Sequence, residues 1–216
     1  MKKVTLFISV IFLLFIVSCK SNGPKADQPA TEGKSVTEQK NTGNVAKGKY
    51  EIKSGKIEYA SKAMGMDATS ILTFDDYGTK EINETNVLSI TSTILTKDGY
   101  MYVFNSASNT GTKRKVYGSS GADIDFRNLT EEVKARKHIK HAGKEQFFGK
   151  TCDKYIIDNT DYDMKGTFLV YAGIPLKSDI DVKGTKTVSV ATKFEENISV
   201  PVEKFELPAG VTITEQ

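Results

Sequence analysis

Few side chains in this sequence are equipped for chemistry, and their spacing argues against most of it. The two histidines both fall in Arg136-Lys137-His138-Ile139-Lys140-His141. Three residues apart at a helix end, they would share a face and could ligate a metal. The surrounding cations oppose a divalent ion, and no carboxylate or further histidine stands near in sequence. The segment therefore reads as a solvated basic helix end that complements the helix dipole. The same cluster, with Lys134, could touch anionic headgroups, but a solvated face is the simpler account. Asp158, Asp161 and Asp163 lack the spacing, central glycine and closing glutamate of a calcium loop, and read as a polar hairpin loop. Asp75 and Asp76 are turn formers ahead of Gly78. No Gly-x-Ser-x-Gly, His-Glu-x-x-His, Walker or Rossmann glycine pattern occurs. The expectation is a protein without catalytic residues, metal or cofactor. Of the cysteines, Cys152 lies in Lys150-Thr151-Cys152-Asp153-Lys154-Tyr155, a strand pattern in which it is expected to be a buried small hydrophobe.

Cys19 has a different setting. Lys2 and Lys3 open the chain, and Val4 to Val17 is an almost unbroken apolar run without an acid. That run falls short of the about 20 residues needed to span a bilayer. A charged start, a short apolar core and small residues before a cleavage point make a secretory signal. Ile16-Val17-Ser18-Cys19 resembles the lipobox of bacterial lipoproteins. The resemblance implies removal of residues 1–18, acylation of the Cys19 thiol by a palmitate-type chain, and acylation of the new amino group. At about 0.8 kcal/mol per buried CH₂, two or three chains give a stable membrane anchor. Lys20 stands where enterobacterial sorting reads Asp as inner-membrane retention. The resemblance thus points to the outer membrane, facing the periplasm.

Loss of residues 1–18 lowers Lys+Arg from 30 to 28 against 27 Asp+Glu. Such a balance lacks the dense positive field of a nucleic-acid binder. Residues 19–47 hold the cysteine and then KSNGPKADQPATEGKSVTEQKNTGNVAK, which has no aromatic residue and only two valines. A chain of this kind buries too little apolar surface to offset the entropy of ordering and is expected to be a disordered tether. Its mean span is on the order of 30 Å. Residues 48–216 carry nearly all the aromatics and regular apolar spacing, enough for one domain with a single core.

The elements of that domain are successive antiparallel strands. Tyr50–Lys53 and Lys56–Tyr59 form a first strand, bulged at Gly55. Ala68–Phe74 alternates into the turn Asp75-Asp76-Tyr77-Gly78, and Lys80–Glu84 follows. Leu88, Ile90, Ser92 and Ile94 share one face of the next strand. Lys97-Asp98-Gly99 supplies a hairpin turn to Tyr100, Tyr102 and Phe104. Lys113–Tyr117 reads as a short edge strand. Asn128 with Glu131 marks a helix start, and Val133, Ala135 and Ile139 give a narrow stripe, so a helix is expected over Leu129–His138, with Gly143 past its end. Strands at Glu145–Phe148, Lys150–Asp158, Thr167–Ala172, Leu176–Val182 and Lys186–Glu195 complete the set, with Gly173 and Pro175 marking a loop or edge. Pro201–Pro208 reads as a terminal helical turn with an apolar anchor. Strands so spaced argue a sheet curled into an open or closed barrel.

Phe148–Tyr155, Tyr171–Lys177, Ala191–Asn197, Pro201–Gly210 and Leu72–Gly78 together resemble a family of bacterial envelope lipoproteins of unassigned function. That family is similar in pattern to the LolA and LolB superfamily of lipoprotein carriers and receptors. The resemblance covers residues 48–216. It implies a mainly β (α+β) fold, an open, curled antiparallel half barrel with one or two helices on its concave side. Leu72, Phe74, Ile90, Ile94, Tyr102, Phe104, Tyr155, Ile157, Leu169 and Tyr171 alternate with polar neighbours along the strands. Two readings stand for them: a face packed solid, or a face that partly lines a slot for a lipid or other apolar ligand. The first makes a structural or partner-binding envelope lipoprotein, the second a binding protein.

Overall fold

The structure, a computed structural model, describes residues 48–63, 65–116 and 124–215. Contacts divide the chain into Met1–Ala46 and Lys47–Gln216, and the description concerns the second unit. The signal, lipobox and tether expectations lie outside the described residues. Eleven strands follow the sequence as two meanders. The first runs β1 (Gly55–Ala63), β2 (Met66–Asp75), β3 (Lys80–Val87), β4 (Ile90–Lys97), β5 (Tyr100–Asn105) and β6 (Thr110–Lys115). The second runs β7 (Ile139–Phe147), β8 (Lys150–Asn159), β9 (Met164–Tyr171), β10 (Ile174–Val182) and β11 (Thr185–Glu196). Antiparallel pairing of β1 with β11 joins them. A last strand, β12 (Thr212–Glu215), adds to β6 in parallel, which the sequence reading did not foresee. The result is one 12-stranded sheet with β12 and β7 at its two ends, open and not closed into a barrel.

Short turns make the meanders. Asp98-Gly99, Phe148-Gly149, Ala172-Gly173 and Lys183-Gly184 each place two consecutive residues at positive φ, the conformation of a tight hairpin loop. Leu88-Ser89 does the same without glycine, at φ 50 and 70. Leu88 was expected on a strand; it occupies this turn instead and is exposed. The one α-helix among the described residues, α1 (Glu131–Lys137), is shorter than the expected span. Its cap is Thr130, not Asn128: the Thr130 side chain accepts from the Val133 amide at 3.2 Å. His138 ends it in the left-handed region, and β7 begins at the next residue. Gly143, past the helix end as expected, lies inside β7 at a register shift.

The segment 48–54, half of it expected as strand, is an irregular strap. The Tyr50 amide donates to Tyr77 O at 2.9 Å and the Glu51 amide to Ala172 O at 3.0 Å. Tyr77 lies between β2 and β3, Ala172 between β9 and β10. In a flat sheet those turns would be four strand spacings apart, about 19 Å. Adjacent residues of the strap bind both, so the turns stand within about 10 Å of each other. The sheet is therefore strongly curled at this end, and the strap spans its concave side. The Tyr50 ring meets Phe74 edge-on at 4.7 Å, which identifies the Phe74 face of β2 as the inner face.

Three buried clusters hold the fold. Tyr50, Ile52, Ile57, Phe74, Leu176 and neighbours fill the strapped end. Phe126, Ile139, Ile157, Phe168 and Val170 pack the approach to α1 onto β7–β9. Ile82, Leu95, Phe104 and Phe205 pack the C-terminal 3-10 turn, Val202–Phe205, onto β3–β5. That turn matches the expected apolar anchor.

Candidate functional site on the inner face

Strand registers carry the inner face across the sheet from residue to residue. Phe168, Ser178, Ser189, Ser61 and Ala68 are successive partners, and the Ser61 hydroxyl bonds the Ser189 hydroxyl at 2.9 Å. Alternation along β2 then places Ala68, Ser70, Leu72 and Phe74 on the same side. From there two rows cross the first meander. Leu72, Asn83, Ile94 and Val103 pair in sequence, as do Ser70, Thr85, Ser92 and Asn105. Thr96 with Met101 and Val87 with Ile90 lie on either side of them. An apolar row thus runs beside a hydroxyl-rich one.

Val87, Ile90, Ile94, Met101 and Val103 are half-buried, yet they belong to none of the three clusters. The opposite face of the same strands is sealed by Phe205, with Val200, Leu207 and Val211 around it. Among the described residues, the inner side of the β3–β5 wing has no such cover.

The sequence reading placed ten residues on one face; the structure divides them. Leu72, Phe74, Ile90, Ile94, Tyr155 and Ile157 face inward. Phe74 and Ile157 are fully packed and have no surface to offer. Tyr102 and Phe104 are a correction: Tyr102 pairs with Leu95 and Phe104 with Thr93, so both point outward under the C-terminal turn. Leu169 and Tyr171 alternate with Phe168 and Val170 along β9 and pack instead into the cluster at the strapped end, with Tyr50 and Phe74, where the Tyr171 ring meets Phe194. The cause is legible. Tyr100-Met101-Tyr102-Val103-Phe104 and Phe168-Leu169-Val170-Tyr171 are apolar at both parities, so period two alone does not choose a side. The aromatic set of β5 is buried by Phe205, leaving Met101 and Val103 inside. Sequence reasoning missed those two, along with Val87 and Asn83.

The strapped end of the inner face carries a buried charge. Glu81, 7% exposed, accepts from Lys49 Nζ at 2.7 Å and from the Tyr50 hydroxyl. The Tyr59 hydroxyl, which donates to Pro175 O at 3.1 Å, is enclosed by protein. Burial, then the charge of Glu81, push it well above the usual tyrosine range. Both phenols serve as structural hydrogen-bond donors.

On the other wing a cleft of about 370 Å³ is lined by Glu51, Phe126, Arg127, Asp153, Tyr155 and Tyr171, among others. Arg127 donates to Tyr50 O and so ties the approach to α1 to the strap. Nearby, His141 Nε2 lies 2.9 Å from Asp153 Oδ1, on β7 and β8. His141 is on a strand and His138 is a helix cap, so the two do not share a helix face as expected. No group of three metal-ligating side chains occurs among the described residues. No helix among the described residues is long and apolar enough to cross a membrane.

No family model and no curated protein matches the chain. Among solved structures it is similar to an uncharacterized conserved protein from Thermus thermophilus, with a TM-score of 0.52 at 7% identity over 77% of this chain and 92% of that one. It is also similar to MucB of the Pseudomonas aeruginosa MucA/MucB complex, with a TM-score of 0.46 at 12% identity over 74% of this chain and 58% of that one. A domain from Vibrio parahaemolyticus assigned to outer membrane lipoprotein sorting aligns with a TM-score of 0.36 at 8% identity over 71% of this chain and 89% of that one. The chain thus spans little more than half the length of MucB. At such identities the likeness is one of fold.

Proposed function

We propose that this protein is a binding protein of the bacterial envelope, without catalytic activity. In this reading it is acylated at Cys19, held on the outer membrane facing the periplasm, and takes a lipid or other apolar ligand on the inner face of its sheet. The observation that supports it is the apolar surface of Ile94 and Val103, continuous with the packed Leu72 and flanked by Val87, Ile90 and Met101, which no apolar cap covers among the described residues. Contiguous apolar surface left open in a concavity, while the opposite face of the same strands is sealed, is the mark of a ligand site. The test uses the mature chain, residues 19–216, titrated with a fluorophore that brightens in apolar surroundings. Ile94→Asp and Val103→Asp are expected to weaken the probe at least tenfold with little change in melting temperature. A wild type that neither brightens the probe nor releases lipid on organic extraction would sink the proposal.

A second reading, a partner-binding lipoprotein, draws on the other wing. Its cleft mixes Glu51, Arg127 and Asp153 with aromatic rings, a lining suited to a polypeptide more than to an acyl chain. Co-purification of one envelope protein at constant stoichiometry, with no extractable lipid, would put this reading first.

A further inference from the structure

Asn83 stands in the middle of the apolar row, paired with Leu72 on β2 and with Ile94 on β4. Its Oδ1 is buried without a hydrogen-bond partner among the described residues. The hydroxyl of Thr85, two residues on along the same face, makes no bond to it, and other groups of that face are already engaged. Glu81, two residues back, holds Lys49 and the Tyr50 hydroxyl, and the Tyr59 hydroxyl is spent on Pro175 O. Leu72 and Ile94 have nothing to donate. A buried amide oxygen that has given up water and gained no partner is costly. A leucine or valine here would complete the row from Leu72 to Val103 and avoid that cost. Among the described residues, nothing offsets that cost for the Asn83 Oδ1.

We infer that Asn83 is a specificity-determining residue, and that the ligand of the inner face is a long-chain amphiphile carrying a hydroxyl on its hydrocarbon, not a plain acyl chain. The inference rests on the apolar-ligand reading above and names the ligand's chemistry. Sites of this type are mostly apolar, with few polar groups that fix orientation. The amide torsion of asparagine is broad and two-fold, so either end of the group can turn to a ligand. A hydroxyl serves both ends, since it donates and accepts. The Ser70, Thr85, Ser92 and Asn105 row lies beside Asn83 on the same face. A ligand hydroxyl seated at Asn83 therefore borders further polar partners while its chain lies along Ile94 and Val103.

The experiment displaces the apolar fluorophore from the mature chain with octadecanoic acid and with isomers bearing one hydroxyl near the head, the middle or the tail. These competitors differ only in the hydroxyl. At least one hydroxy acid is expected to bind about tenfold more tightly than octadecanoic acid, the size of one added hydrogen bond to a formerly orphaned group. Asn83→Leu is expected to abolish that preference, to keep or improve the affinity for octadecanoic acid, and to raise the melting temperature. Asn83→Thr, which keeps a polar group, serves if the leucine variant misfolds, and should retain part of the preference. Equal affinity of the wild type for octadecanoic acid and every isomer overturns the role of Asn83 and leaves the apolar site standing. Failure of the wild type to bind any of them overturns both.

Discussion

Cys152 shows how burial settles the chemistry of a residue that sequence leaves open. It is fully buried on β8, unpaired, and packed in the cluster at the strapped end. Desolvation, then the charges of Asp153 and Glu145, raise its thiol pKa. Thiolate is the reactive form, so a disulfide reagent at mildly alkaline pH is expected to leave the native chain almost unlabelled and to titrate one thiol after unfolding. The linkage has a definite sign. A thiol raised on folding favours the neutral form, so its contribution to stability is full below the usual thiol pKa of about 8.5 and is lost as pH rises past it. Cys152→Ser should remove that alkaline loss. Prompt native labelling would mean that the strapped end opens readily. The residue type and its alternating neighbours announced a buried position for Cys152, whereas the orphaned Asn83 had no such signal. Asn83 lies in Glu81-Ile82-Asn83-Glu84-Thr85, where it reads as one more solvent-facing polar residue.

The hairpin from β4 to β5 carries the inner row from Ile94 to Val103. Asp98 and Gly99 have φ 53 and 75, and a Cβ added at Gly99 would meet nothing within 4 Å. Any cost of substitution there is backbone strain alone. Gly99→Val is therefore expected to cost about 1–3 kcal/mol, lowering the denaturant midpoint and weakening binding of the apolar probe as the register loosens. An unchanged midpoint would show that the turn does not set the pairing. The Asp-Gly signal made this hairpin legible, with its boundaries. Leu88-Ser89 makes an equivalent turn without glycine, and an apolar residue there reads as a strand continuing. The helix was legible in place but not in length. Ile139 fits a helical stripe by spacing, yet it pairs with Ile157 as the first residue of β7. Long-range pairing overrode local periodicity.

On the scale of the whole molecule, two meanders are joined edge to edge by β1 and β11 and drawn into a curl by the strap at residues 48–54. The proposed anchor adds a membrane to that arrangement through a tether of residues 20–47. Its prediction is a redistribution of the entire protein. Cys19→Ser replaces the thiol by a hydroxyl that the acylating enzyme does not use, so labelled palmitate should be incorporated by the wild type and not by the variant. Equal incorporation would remove the lipoprotein assignment while leaving the domain's binding surface to stand on its own tests.

Sequence by itself determined the strand-rich class and the places of most hairpins. Each of these depends on local information: alternation, turn chemistry and composition. Tertiary structure alone decided which side of each strand faces inward. In β5 and β9 both parities are apolar, and the choice was made by elements far away in sequence, with Phe205 sealing Tyr102 and Phe104, and Phe126 packing Phe168. The curl was decided the same way, because Tyr50 and Glu51 bind turns at Tyr77 and Ala172. Contacts over such separations leave no periodic trace in the residues that make them.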